Sequence, residues 1–190
     1  MQLRYLLAIL LGAGMLHPAQ GRECKGVAFA DSAEIAGTRL VLNGLGVRQA
    51  TIFRVNVYVA ALYVVSPASD ARRILDSDAA SRLTMQFLRN VDAAELRQRF
   101  SEGFEKSSPQ SAPALQGRIA TFNSWMTDIR SGQRMTFTHV PARGVEVDIA
   151  GTLRGTIPGA DFARALLRIW LGDTPPNPQL KSGLLGGSCD

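Results

Sequence analysis

The run Ile52–Val65, IFRVNVYVAALYVV, constrains the fold more than any other stretch of this chain. It is dominated by β-branched and aromatic residues, which fit a pleated, packed surface better than a helix. Its first half alternates, with Phe53, Val55, Val57 and Val59 set against Arg54, Asn56, Tyr58 and Ala60. A period of two predicts a strand with one apolar face and one face that carries polar groups.

Other strands and several helices can be read around it. Glu34–Leu42 has the pattern of a hairpin with Gly37-Thr38 at its turn, and Asn43-Gly44 then punctuates the chain. Arg82–Arg89 is a further strand. Arg134–Val140, Gly144–Ile149 and Thr152–Ile157 are three more, with Arg143-Gly144 and Gly151 supplying turns. Between these blocks, Asp70–Leu75 predicts a short helix. Asp92 opens a longer one, because Asp92 and Glu95 have capping-box spacing and Val91 can staple to Leu96. Its Leu96, Phe100, Gly103 and Phe104 share a face. Pro109 and Pro113 interrupt, and a helix from Ala114 to Ile129 follows with Leu115, Ile119, Phe122, Met126 and Ile129 at helical spacing. Phe162–Leu171 is a helix stopped by Gly172, and a short one around Leu180–Leu185 follows Pro175-Pro176. Strands, helices, strands, helices is a segregated order. It predicts an α+β domain, with an antiparallel β-sheet packed against a helical layer.

The first residues stand apart from this plan. Tyr5–Met15 is an apolar run behind Arg4, followed by His17, Pro18, Ala19, Gln20 and Gly21. The run is shorter than the ~20 apolar residues that span a bilayer. Ala19 and Gly21 suit the small positions of a signal-peptidase site. Residues 1–21 are therefore expected to be a signal peptide, residues 22–190 one domain, and the location periplasmic or secreted, with no membrane span after cleavage.

Loss of Arg4 makes the mature chain one charge less basic than the +5 of the full sequence. The arginines are scattered among acids, at Arg39, Arg54, Arg72, Arg89, Arg118 and Arg143, with no basic block, which argues against nucleic-acid binding. Two cysteines and two histidines leave little material for a metal site, and neither a metal nor a cofactor is expected. Cys24 and Cys189 stand at the two ends of the mature chain. In an oxidising compartment they can pair, the alternative being two free thiols near frayed ends.

Familiar catalytic patterns are absent: no nucleophile elbow, Walker loop, zincin helix or dinucleotide fingerprint. Gly44-Leu45-Gly46 precedes no helix and makes a poor phosphate cradle. His139 alone reads as structural, and Glu146 with Asp148 reads as a solvated strand face.

One segment resembles a known signature. Leu42-Asn43-Gly44-Leu45-Gly46-Val47-Arg48, followed by Val57-Tyr58-Val59-Ala60-Ala61-Leu62-Tyr63, is similar to the chalcone isomerase-like superfamily. There a Gly-x-Gly-aliphatic-Arg turn precedes a long strand bearing tyrosines. The tail Trp170-Leu171-Gly172-Asp173-Thr174-Pro175-Pro176, with Leu180-Lys181-Ser182-Gly183-Leu184-Leu185-Gly186, resembles the ending of bacterial, exported members. The resemblance implies a chalcone isomerase-like fold, with a ligand cleft between sheet and helices. It implies that Arg48 matches an arginine which stabilises charge in plant chalcone isomerases and holds a carboxylate in fatty-acid-binding relatives. Tyr58 falls where those binders place a tyrosine and the isomerases a threonine. The isomerase helix tyrosine and asparagine fall near Leu96 and Gly103, and a late hydroxyl residue near Ala163, so all three lose their polar group.

Three readings follow. The first is a non-catalytic binder of a small amphipathic anion such as a fatty acid, with Arg48 and Tyr58 as the ligand-binding residues. The second is an isomerase, an intramolecular lyase acting on a chalcone-like or other enone, with Arg48 as its catalytic residue. The third is an envelope structural or interaction protein with a closed cleft.

Overall fold

Among the described residues, seven strands pair in strict chain order, every neighbour antiparallel; three helices are spliced into the connections of this meander and two follow its last strand. The computed structural model describes residues 21–50 and 55–189. The elements are β1 (Gly21–Cys24), β2 (Val27–Ala30), β3 (Ser32–Ile35), β4 (Thr38–Ala50), β5 (Val55–Val64), α1 (Ala71–Leu75), β6 (Ser81–Phe87), α2 (Ala93–Ser107), α3 (Ala112–Ser124), β7 (Arg134–Val140), β8 (Gly144–Ile149), β9 (Thr152–Ile157), α4 (Ala160–Leu171) and α5 (Pro178–Leu184). Strands β3 to β9 form the main sheet, while β1 and β2 form a separate hairpin. The predicted α+β class, an antiparallel sheet with a helical layer, is the observed one. Residues 1–20 of the expected leader, and Ile52, Phe53 and Arg54 of the long strand, lie outside the described residues.

The three late strands have the boundaries their patterns predict. The Asp92 cap forms as read, its carboxylate accepting the Glu95 backbone N–H at 2.7 Å, an arrangement worth about 1 kcal/mol. Other expectations need correction. The β3–β4 turn is centred on Ala36 and Gly37, with φ of 47° and 78°, and not on Gly37-Thr38. A two-residue turn of this hand requires positive φ at both central positions, and glycine tolerates it at the second. Asn43-Gly44 is no break, because β4 runs through it with a bulge between Leu42 and Gly44. Buried Asn43 bridges instead. Its amide donates to the Ala68 and Leu184 carbonyls at 3.1 and 2.7 Å, and its Oδ1 accepts from the Ala68 N–H at 2.8 Å. Pro113 sits in the first turn of α3, where its missing N–H costs nothing. That helix ends at Ser124, and Met126 and Ile129 reach the core from irregular chain. Ile129 pairs with Val91 through two 2.9 Å backbone bonds.

Strand β5 departs most from its predicted one-sided pattern, since most of its length is buried on both faces. Ala60, Leu62 and Val64 belong to the core beneath the helices. Val59, Ala61 and Tyr63 belong to a second core, which Phe29 and Val27 of the unforeseen β1–β2 hairpin help to fill. The non-alternating second half of the run, VAALYVV, is what a doubly covered strand requires.

The helical side is held by an aromatic cluster. Phe100 meets Phe122, Phe137 and Trp170 at centroid separations of 4.9, 5.7 and 6.2 Å, and Phe104 meets Phe162 at 5.5 Å. The Phe stripes of the helices are thus core packing. Helix α5 lies directly on β4. A Cβ on Gly46 would come within 2.4 Å of the Leu180 carbonyl oxygen, and one on Gly183 within 2.2 Å of the Leu45 oxygen. The Gly-x-Gly segment of β4 and the glycine-bearing tail are two sides of one close contact.

Candidate functional site

Arg48 near the end of β4 and Tyr58 on β5 are direct cross-strand partners. Directly opposed residues of an antiparallel pair project to the same face, with Cβ atoms about 5 Å apart. For this pair, that face is the helical one, as Tyr58 packs against the core under the helices. Both residues line a cleft of about 290 Å³. Its floor is Val57 and Tyr58 of β5 with Met85 and Phe87 of β6, and its wall is Leu96, Phe100 and Gly103 of α2 with Ile169 and Trp170 of α4. The segment Thr174–Pro176, between α4 and α5, closes one side.

Each functional group is held from behind. The Arg48 guanidinium donates through Nη1 to its neighbour's carbonyl, Gln49 O, and lies 3.5 Å from Asn177 Oδ1. Asn177, just before α5, also donates to the Val47 carbonyl at 3.2 Å, so one side chain fixes the strand edge and the arginine together. A guanidinium has five N–H donors in a planar fork, leaving most of them for a ligand.

Tyr58 is anchored differently. Its hydroxyl oxygen accepts the Trp170 indole N–H at 2.9 Å, and its ring lies 5.5 Å from that of Phe87. Burial pushes the phenol pKa up to about 12, against smaller downward pulls from the Trp170 hydrogen bond and the Arg48 charge. The hydroxyl is therefore a neutral donor at physiological pH.

The cleft rim is charged on the α2 side. Glu102 faces Arg99 at 3.6 Å and Lys106 at 3.4 Å. Hydrogen bonds from Gln98 and then Lys106 hold the Glu102 carboxyl below its usual range. A mixed-charge rim over an apolar floor, with Arg48 and the buried Tyr58 phenol among the lining groups, suits an amphipathic ligand with an anionic head.

The other singled-out residues divide clearly. Leu96 and Gly103 do reach this cleft and bring no polar group to it. Gly103 instead lets α4 approach, for a Cβ there would meet Ile169 at 3.0 Å. Ala163 lies away from the cleft, in a small crevice with His139. His139 is structural in its contacts. Its Nδ1 lies 3.2 Å from the Ala79 carbonyl and its Nε2 3.4 Å from Asp78. Glu146 and Asp148 pair across β8 with Thr138 and Thr136, and Glu146 faces Arg143 at 3.3 Å. Cys24 and Cys189 lie far from the cleft, their Cα atoms 6.0 Å apart and their sulfurs in contact, a spacing within the disulfide range. Among the described residues no cluster of His, Cys, Asp and Glu could hold a metal ion, and no helix is long and apolar enough to cross a membrane. Sequence reasoning missed Trp170 and Asn177 as site residues, since a tryptophan on an apolar helical face looks like core.

A meandering antiparallel sheet, a helical layer and a cleft between them lined by an arginine–tyrosine pair define an α+β domain with a cleft between its layers. The chain belongs to the chalcone isomerase-like family, whose model matches residues 21–186. Among solved structures it is similar to an Arabidopsis thaliana fatty-acid binding protein, with a TM-score of 0.64 and 17% sequence identity over 84% of this chain and 92% of that one. At that identity the likeness establishes the shared fold. Comparison with curated proteins gives no match.

Proposed function

We propose that this protein is a non-catalytic binder of an amphipathic carboxylate such as a fatty acid. The head would be held by Arg48 and Tyr58 and the tail by the apolar cleft. The observation that carries this reading is the cross-strand pairing of Arg48 with Tyr58 in the lining of that cleft. The likeness to a fatty-acid binding protein supports it. An isomerase needs further donors that strengthen their grip in the transition state, and Leu96 and Gly103 bring none to the cleft wall. In calorimetric titration with laurate, Arg48→Ala should weaken binding roughly ten- to a hundredfold, the loss expected for charge-assisted hydrogen bonds to a carboxylate. The thermal midpoint should stay near wild type. Unchanged affinity in the folded variant would refute the reading.

The same proposal places the protein in the periplasm or outside the cell, with residues 1–21 removed and Cys24 bonded to Cys189. Intact-mass measurement on protein isolated from its own cells tests both points. A mass beginning at Arg22, lighter by two hydrogens than the reduced chain, is expected. A retained Met1 or two free thiols would contradict it.

A further inference from the structure

We infer that Trp170 is a positioning residue that makes Tyr58 a one-way hydrogen-bond donor, so that the cleft selects acceptor-only heads over heads that both donate and accept. This rests on the carboxylate-binding reading above. A phenol has one proton to give and oxygen lone pairs to receive. Trp170 Nε1 has a proton to donate and no capacity to accept. At 2.9 Å it approaches the Tyr58 oxygen as a donor, so the phenol proton must turn away from the indole. Among the described residues, this accepted bond is the only hydrogen bond of the Tyr58 hydroxyl. The proton is left for whatever enters the cleft that both residues line. Accepting one bond also polarises the O–H and strengthens the bond it donates.

The indole itself has little freedom. Trp170 is 2% exposed and wedged among Phe100, Phe137 and the strands. The orientation of Tyr58 is therefore set by α4 before any ligand arrives. A carboxylate accepts from both Arg48 and Tyr58. An alcohol of the same tail brings a proton that Arg48 cannot receive and that must compete for the Tyr58 oxygen already engaged by Trp170.

The test compares laurate and dodecanol on four forms of the full mature protein: wild type, Trp170→Phe, Tyr58→Phe and the double variant. Trp170→Phe keeps an aromatic ring and removes the donor together with part of the buried ring volume, a packing loss that the dodecanol and Tyr58→Phe arms subtract. Its laurate affinity should fall about fivefold, the scale of one oriented hydrogen bond, while dodecanol affinity changes less than about twofold. In the Tyr58→Phe background the same substitution should leave laurate affinity within about twofold, because there is no hydroxyl left to orient. Equal weakening of both ligands, or a Trp170→Phe effect that persists without the Tyr58 hydroxyl, would overturn the inference. Wild type that fails to bind laurate, or binds it independently of Arg48, would instead sink the underlying reading. Should Trp170→Phe not fold, the wild-type indole N–H resonance of Trp170 serves. It should shift on adding laurate in wild type and stay fixed in Tyr58→Phe, and a fixed resonance in laurate-bound wild type would count against the inference.

Discussion

Arg48 and Tyr58 illustrate how far single residues can be read. Their spacing along the chain says nothing about proximity until β4 and β5 are registered, and the bulge next to Arg48 shifts that register. A family motif pointed to both, whereas their common face emerges from strand pairing. Trp170 was illegible as a site residue because its ring belongs to the core and only its N–H engages the site, through the Tyr58 hydroxyl. The elevated Tyr58 pKa has a consequence for pH. A phenol whose folded pKa stands near 12 stays protonated where an ordinary tyrosine, near 10, is half ionised. Laurate is anionic throughout, so its affinity should hold within about twofold from pH 7 to pH 10. Titrations at the two values check this, and a fall of about tenfold by pH 10 would show an ionised phenolate repelling the ligand. The stability contribution follows the same sign. It is intact below the unfolded-state pKa and is lost as pH rises toward the folded one.

At the scale of elements, strands β7 to β9 were legible to the residue because polar and apolar positions alternate between strong turn signals. The β1–β2 hairpin was not, since Gly21–Cys24 is short and largely polar, and only its pairing with Val27–Ala30 makes it a strand. Helix α5 shows a different limit. Its docking on β4 depends on glycines in both partners, and a glycine reserved for close approach looks in sequence like a turn glycine. The structure separates the two. Gly46→Ala places a methyl 2.4 Å from the Leu180 carbonyl, with backbone on both sides of the clash. It should destabilise the fold by about 3 kcal/mol, in the upper range for overpacking. Gly117→Ala, in exposed helix α3 with nothing within 4 Å of its Cβ, should stabilise by about 0.5–1 kcal/mol. Urea unfolding of the pair decides it, and equal effects would contradict the close-contact account.

Across the whole molecule, one chain order yields a meander whose two faces do different work. The β1–β2 hairpin covers the β4–β5 part of one face with Phe29 and Val27. On the helical face, the main cleft opens where α2, α4 and the Thr174–Pro176 segment stand back from β5 and β6. Charge and composition argue against a nucleic-acid binder, but they could not locate that gap. It exists because Gly103 draws α4 against α2 on one side while α5, held by Gly44 and Gly46, anchors the other. The central claim is that this gap receives an acyl tail with its head at Arg48 and Tyr58. A crystal structure of the laurate complex tests it most directly. The account predicts carboxylate oxygens within hydrogen-bond distance of an Arg48 guanidinium nitrogen and the Tyr58 hydroxyl, with the tail along Phe87, Leu96 and Phe100. Laurate bound with its head away from both residues, or lodged outside this cleft, would contradict it.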